Sequence, residues 1–298
     1  MVKGSDILEI VERDQEILVK NLQDFDPKHI FECGQCFRWD KEQDGSYTGV
    51  AFGKVLNVKK EEDNVIFKHS NKEEFHKIWI PYFDLDKDYG KIKAALIKED
   101  EIMKSAADLG NGIRILQQDP WETLISFIIS SNNNIPRIKK AVNLISERFG
   151  LYLGEYDGKK QYSFPEPEVV CALSNEELTS CGVGYRAKYI IDTAKAVVEK
   201  NILLDELKKL DSSDCFEALL QFNGVGPKVA NCILFFAMGK VDAFPVDVWV
   251  KRVMEHFYFK KDTPNKEIER FAKEKFGEYA GYGQQYLFYY AREAGIGK

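Results

Sequence analysis

The segment Phe222 to Val253, FNGVGPKVANCILFFAMGKVDAFPVDVWVKRV, restricts what this chain can fold into more than any other stretch. Before it, Phe216, Leu219 and Leu220 sit one helical turn apart. After it, Val229, Cys232, Ile233 and Phe236 repeat the apolar stripe of a half-buried helix. Two helices must therefore meet at Asn223-Gly224-Val225-Gly226-Pro227. Glycines at 224 and 226 permit positive φ and remove side chains that would block a close approach, and proline suits the first turn of a helix. Such a corner presents bare amides, which favour an anion such as a nucleic-acid phosphate.

Lys228 follows in the first turn, where the positive end of the helix dipole makes a neutral, nucleophilic amine easier to reach. Further on, Asp247 stands after Pro245-Val246 and before Val248, Val250 and Val253, the position of an N-cap. By pattern alone the corner reads equally as a tight turn with a solvated lysine, and Asp247 as a cap and nothing more. A phosphate-binding P-loop is a poorer match, because Val229 stands where that motif needs Ser or Thr and no strand precedes it.

The segment resembles the helix-hairpin-helix and the following Gly/Pro…Asp loop of DNA base-excision glycosylases. A lysine two residues after the second glycine resembles the bifunctional glycosylase/lyase branch. The resemblance implies that Gly224, Gly226 and Lys228 meet a DNA phosphate, that Lys228 attacks the sugar C1′, and that Asp247 stabilises the positive charge developing there. Cys232 lies one turn after Lys228 on the same face, where it can interact with it, and is a secondary candidate at the lesion site, although a buried packing thiol is the commoner role.

Length and composition fit a folded, soluble protein and limit the partners. The 298 residues are 44% hydrophobic and 13% aromatic, enough for two or three modest domains with real cores. No apolar run reaches the roughly 20 residues of a membrane span, and Met1 to Asp6 lacks the apolar core of a signal peptide, so a cytoplasmic address is expected. A net charge of −6 argues against general polyanion binding and requires any DNA face to be local. The six cysteines are scattered. Cys33-Gly-Gln-Cys36 has no second pair to complete a zinc site, and the C-terminal region has no four-cysteine cluster of the iron–sulfur kind, so neither metal nor cofactor is expected.

Along the chain, Leu8, Ile10, Val11, Ile17 and Leu18, together with Ile7, suggest a short strand or helix. From His29 to about His69, short apolar runs broken by Asp44-Gly45, Gly53-Lys54 and Glu62-Asp-Asn64 predict antiparallel strands. Gly34 falls in a strand-like run, where a bulge or a close approach is expected. Its string, Glu32-Cys-Gly-Gln-Cys-Phe-Arg-Trp39, resembles the segment of 8-oxoguanine DNA glycosylases whose glycine carbonyl faces the lesion. Oxidation turns N7 of guanine into an N–H donor, so one fixed carbonyl separates the lesion from the normal base.

From Lys72 onward helices are predicted, including Tyr89 to Met103 and a buried one from Trp121 to Ile129 after Asp119-Pro120. Residues 151–168 read as a loop. Ser130-Ser-Asn-Asn-Asn-Ile-Pro-Arg137 is turn chemistry by composition and resembles the family string in which Asn132 and Arg137 would address the cytosine left unpaired. Gly182 and Gly184 read as helix C-caps, and an aromatic plus a cation at that corner suits entry into a base stack; the family resemblance implies that Tyr185 wedges the duplex open and that Arg186 holds the estranged cytosine. In Ala280-Gly-Tyr-Gly-Gln-Gln-Tyr-Leu-Phe288, Gln284 and Phe288 share one helix face. The family resemblance gives them the edge contact and the stacking platform for a flipped base. Trp249 departs from mammalian-type members, which carry histidine two residues past the aspartate.

The motifs run in family order from about Phe25 to Phe288 and resemble an 8-oxoguanine DNA glycosylase/AP lyase of the helix-hairpin-helix (HhH-GPD) superfamily. That implies an α+β fold, with an N-terminal antiparallel sheet domain over residues 1–105 and a two-lobed helical domain over 106–298. It further implies damaged double-stranded DNA as partner, a monomeric state, and a nucleoid association if the source is bacterial or archaeal. A glycosylase for another lesion and a non-catalytic DNA-binding module using the same hairpin are the rival readings.

Overall fold

The computed structural model describes residues 8–295; Ile7 and the leader segment considered above lie outside them. Six strands form one antiparallel sheet: β1 (Glu9–Arg13), β2 (Glu16–Lys20), β3 (Trp39–Lys41), β4 (Tyr47–Ala51), β5 (Lys54–Glu61) and β6 (Asn64–Lys68), in the order β1-β2-β6-β5-β4-β3. The segment with alternating apolar residues near the N-terminus is thus a β1–β2 hairpin, with Ile17 and Val19 buried. One face of the sheet packs on the helical stretch 72–82, where Phe67, Phe75, Trp79 and Phe83 form an aromatic core. A short helix, α1 (Pro27–Phe31), capped by Asp26, leads into the loop that carries Gly34.

Gly34 is therefore not in a strand. It sits between α1 and β3, with φ +85°. The apolar residues around it, Cys33, Phe37 and Trp39, look strand-like in sequence, yet they are buried because the loop plugs the junction of two cores: Trp39 joins the sheet core, while Cys33 and Phe37 join the helical one.

The helical part contains α2 (Tyr89–Leu96), α3 (Glu101–Leu109), α4 (Pro120–Ser130), α5 (Ile135–Phe149), α6 (Arg186–Glu199), α7 (Ser212–Leu219), α8 (Pro227–Ala237), α9 (Val248–Met254), α10 (Asn265–Phe276) and α11 (Ala280–Glu293), with shorter turns between. The single helix expected from Tyr89 to Met103 is broken, because Asp100 caps a new one through the amides of Ile102 and Met103. α4 is apolar on nearly all sides and runs through the middle of the helical core.

The stretch 151–168 also differs from expectation. Tyr152–Tyr156 and Lys159–Tyr162 pair as β7 and β8, turning at Asp157-Gly158, whose φ values of +50° and +74° are those of a primed hairpin turn. Lys139 on α5 bonds the Trp39 carbonyl at 2.6 Å and Asp40 at 2.7 Å, tying this helix to the sheet.

Candidate active site

The α7–α8 pair forms the hairpin that the sequence required. Gly224 has φ +85°, and a Cβ there would lie 3.0 Å from the Tyr189 ring, so both backbone angle and close packing demand glycine. Gly226 is the N-cap of α8 and offers no side-chain cap, with Pro227 next. The first-turn amides thus have no side chain bonded to them and remain available to an anion. Lys228 follows on this turn, and its Nζ lies 5.4 Å from the centre of the Phe127 ring.

Asp247 caps α9, accepting a bond from the Val250 amide at 2.7 Å. Lys228 and Asp247 line one cavity of about 50 Å³, together with Cys33, Gly34, Phe127, Cys232, Phe236, Pro245, Gln284, Gln285 and Phe288. Every lesion-facing residue expected from sequence is brought to this one place. Phe127, Phe236 and Gln285 were not singled out in sequence; the first two read there as core residues of apolar helices.

The electrostatics of the cavity disfavour its two thiols as nucleophiles. Burial pushes the Cys232 thiol up, with the Lys228 charge only partly offsetting it, and burial pushes the Cys33 thiol up to about 11. Neither sulfur is a thiolate at neutral pH. Gln284 is 5% exposed, and its Oε1 has no hydrogen-bond partner. An orphaned acceptor in a cavity is matched by a donor brought by a ligand. Phe288 lies beside Gly34, whose Cβ position is 3.2 Å from the Phe288 ring.

The second group of expected residues meets at a separate corner. Tyr185 is 60% exposed at the N-cap of α6 and packs edge-on to Tyr189. Arg186 is buried. Its Nε donates to the Ser131 carbonyl at 2.9 Å, its Nη2 to Asn132 at 3.0 Å and its Nη1 to Val183 at 3.2 Å. In this conformation Arg186 holds the Asn132 turn from below, with Tyr185 stacked over its guanidinium at 4.5 Å. Asn132 is exposed, with φ +49°, and Arg137 is exposed on the first turn of α5. Trp249 is half-buried, with the Arg252 guanidinium 5.6 Å from its ring.

The class of protein to which this hairpin and cavity belong is that of base-excision DNA repair, because residues 125–278, which carry the hairpin, Lys228 and Asp247, match the family described as HhH-GPD superfamily base excision DNA repair protein. Residues 17–124 match 8-oxoguanine DNA glycosylase, N-terminal domain. The chain belongs to the 8-oxoguanine DNA glycosylase/lyases of the HhH-GPD superfamily. It is 46% identical to the Clostridium acetobutylicum 8-oxoguanine glycosylase/lyase, solved with double-stranded DNA containing cytosine opposite 8-oxoguanine, at a TM-score of 0.94 over 98% of this chain and 100% of that one. It is 34% identical to the N-glycosylase/DNA lyase OGG1 of Arabidopsis thaliana over 87% of this chain and 75% of that protein. The N-glycosylase/DNA lyase of Saccharomyces cerevisiae is 35% identical over 77% and 67%. Among the described residues no helix is long and apolar enough to cross a membrane.

Proposed function

We propose that this protein excises 8-oxoguanine paired with cytosine in duplex DNA and then nicks the strand by β-elimination. The single observation that carries this reading is the convergence of Lys228, Asp247, Gly34, Gln284 and Phe288 on one cavity.

The hairpin amides grip a phosphate and Tyr185 fills the gap left by an extruded nucleotide, whose unstacking costs a few kcal/mol. Asn132 and Arg137 address the estranged cytosine, with Arg186 bracing their turn. Phe288 stacks on the flipped purine, the orphaned Gln284 oxygen accepts from its Watson–Crick edge, and the Gly34 carbonyl accepts from N7–H. Lys228 Nζ bonds to C1′ as the bond to N9 breaks, and the purine leaves with the electron pair. Asp247 stabilises the positive charge that develops on the sugar. The attacking nitrogen gives a proton to the departing purine, and opening of the resulting N,O-acetal, with O4′ taking up a proton as its bond to C1′ breaks, gives a protonated Schiff base whose C2′ proton is lost as the 3′ phosphate departs.

Gel analysis of a duplex with 8-oxoguanine opposite cytosine, before and after alkali, tests the reading. Strand scission without alkali is expected. A product only with some other damaged base would reassign the lesion, and tight binding with no product would leave a DNA-binding module.

A further inference from the structure

A single carbonyl can separate 8-oxoguanine from guanine only if it cannot turn away. With the lesion it gains a hydrogen bond; with guanine it meets a lone pair, and a peptide free to rotate would relieve that clash and lose the discrimination. The structure shows how the loop is fixed. The carbonyl before Gly34, that of Cys33, accepts a 2.7 Å bond from Gln285 Nε2. The carbonyl after it, that of Gln35, accepts a 2.8 Å bond from Gln118 Nε2. The wholly buried Gln35 side chain in turn donates to Ile30 and Arg114 carbonyls at 2.9 and 2.8 Å and accepts from the Leu116 amide at 2.9 Å. Among the described residues nothing donates to the Gly34 carbonyl. The flanking acceptors are clamped and the central one is left open beside the cavity.

Gln118 does a second thing. Its backbone amide donates to the Phe236 carbonyl at 2.9 Å, on the helix that carries Lys228. The same residue therefore fixes the lesion-reading loop and the helix of the nucleophile relative to each other.

We infer that Gln285 and Gln118 are positioning residues for lesion specificity, acting through the two peptides that flank the Gly34–Gln35 peptide; the inference rests on the function proposed above. Glutamine suits the task because it supplies a neutral donor, and a charge at Gln285 would stand in the lining of the cavity that holds Lys228.

Gln285→Met and Gln118→Met keep size and remove the donor. Excision from 8-oxoguanine opposite cytosine and β-elimination at a preformed abasic site opposite cytosine are measured in parallel, because only the first needs the Gly34 carbonyl. Excision kcat/KM is expected to fall by about tenfold or more in each variant, and the abasic-site rate of Gln118→Met, whose side chain lies outside the cavity, is expected within about twofold of the parent. A parallel fall in both reactions, or undiminished excision, overturns the inference. Should Gln285→Met lose its cooperative melting transition, Gln118→Met, which is half-buried, decides alone. A parent enzyme that cleaves abasic sites but leaves 8-oxoguanine in place sinks the substrate assignment and this inference with it. Normal parent excision with unchanged variants sinks the inference only.

Discussion

Lys228, in the first turn of α8, and Asp247, at the N-cap of α9, line the same cavity, with the Cys232 thiol close enough to feel the charges of both. Each is held by the helix it starts, so their separation is set by rigid elements and not by flexible loops.

Asp247→Asn separates the two roles of that carboxylate. An amide oxygen still caps α9 through Val250, so stability should stay within about 0.5 kcal/mol, while loss of charge at the sugar should slow single-turnover excision about a hundredfold. Equilibrium binding to lesion DNA should change little. Binding that falls as far as the rate would mean the carboxylate places the DNA and does not stabilise the transition state.

Gly34→Ala should cost twice over. The positive φ disfavours any side chain, by about 1–3 kcal/mol, and the new methyl would press on the Phe288 ring at 3.2 Å. Excision of 8-oxoguanine should drop far more than β-elimination at an abasic site. Equal losses in the two assays would remove Gly34 from lesion reading.

Gly224→Ala strains the hairpin through φ +85° and a 3.0 Å contact with Tyr189. It should weaken binding to lesion and undamaged duplex alike and reduce the salt slope of binding by about one phosphate contact. An unchanged slope, read by fluorescence anisotropy across a salt series, would place the phosphate grip elsewhere.

Glu122 supplies a pH dependence unrelated to catalysis. It stands 3.7 Å from Arg38 with 20% of its side chain exposed, and burial pushes its carboxyl up to about 7 against only a partial offset from the arginine. The folded chain thus holds this proton more tightly than the unfolded chain does. The stability gained is present below the ordinary carboxylate range and is lost as pH rises from about 4.5 to about 7, by at most on the order of 3 kcal/mol. Glu122→Gln should flatten that part of the melting profile and raise the melting temperature at about pH 8. A variant with the parent's slope would show that other groups cause it.

The hairpin was legible in sequence because its determinants are local: two glycines, a proline and apolar stripes on either side. Asp247 was readable as a cap for the same reason. Gly34 reads as strand in the sequence because the loop that holds it is fixed by Gln285 and Gln118, which lie far along the chain and leave no local signature. The β7–β8 hairpin was read as loop although Asp157-Gly158 is a strong turn signal, since its strands are mostly exposed and carry no apolar alternation. Nothing local in the sequence marks Arg186 as buried, and only the fold shows that it lies beneath the Asn132 turn.

Borohydride present during turnover on a duplex with 8-oxoguanine opposite cytosine addresses the nucleophile directly, because it reduces the Schiff base to a stable protein–DNA adduct. The parent enzyme should trap in high yield and Lys228→Gln should give no adduct while still binding the duplex. Efficient trapping by Lys228→Gln would contradict the assignment of that amine and the mechanism built on it.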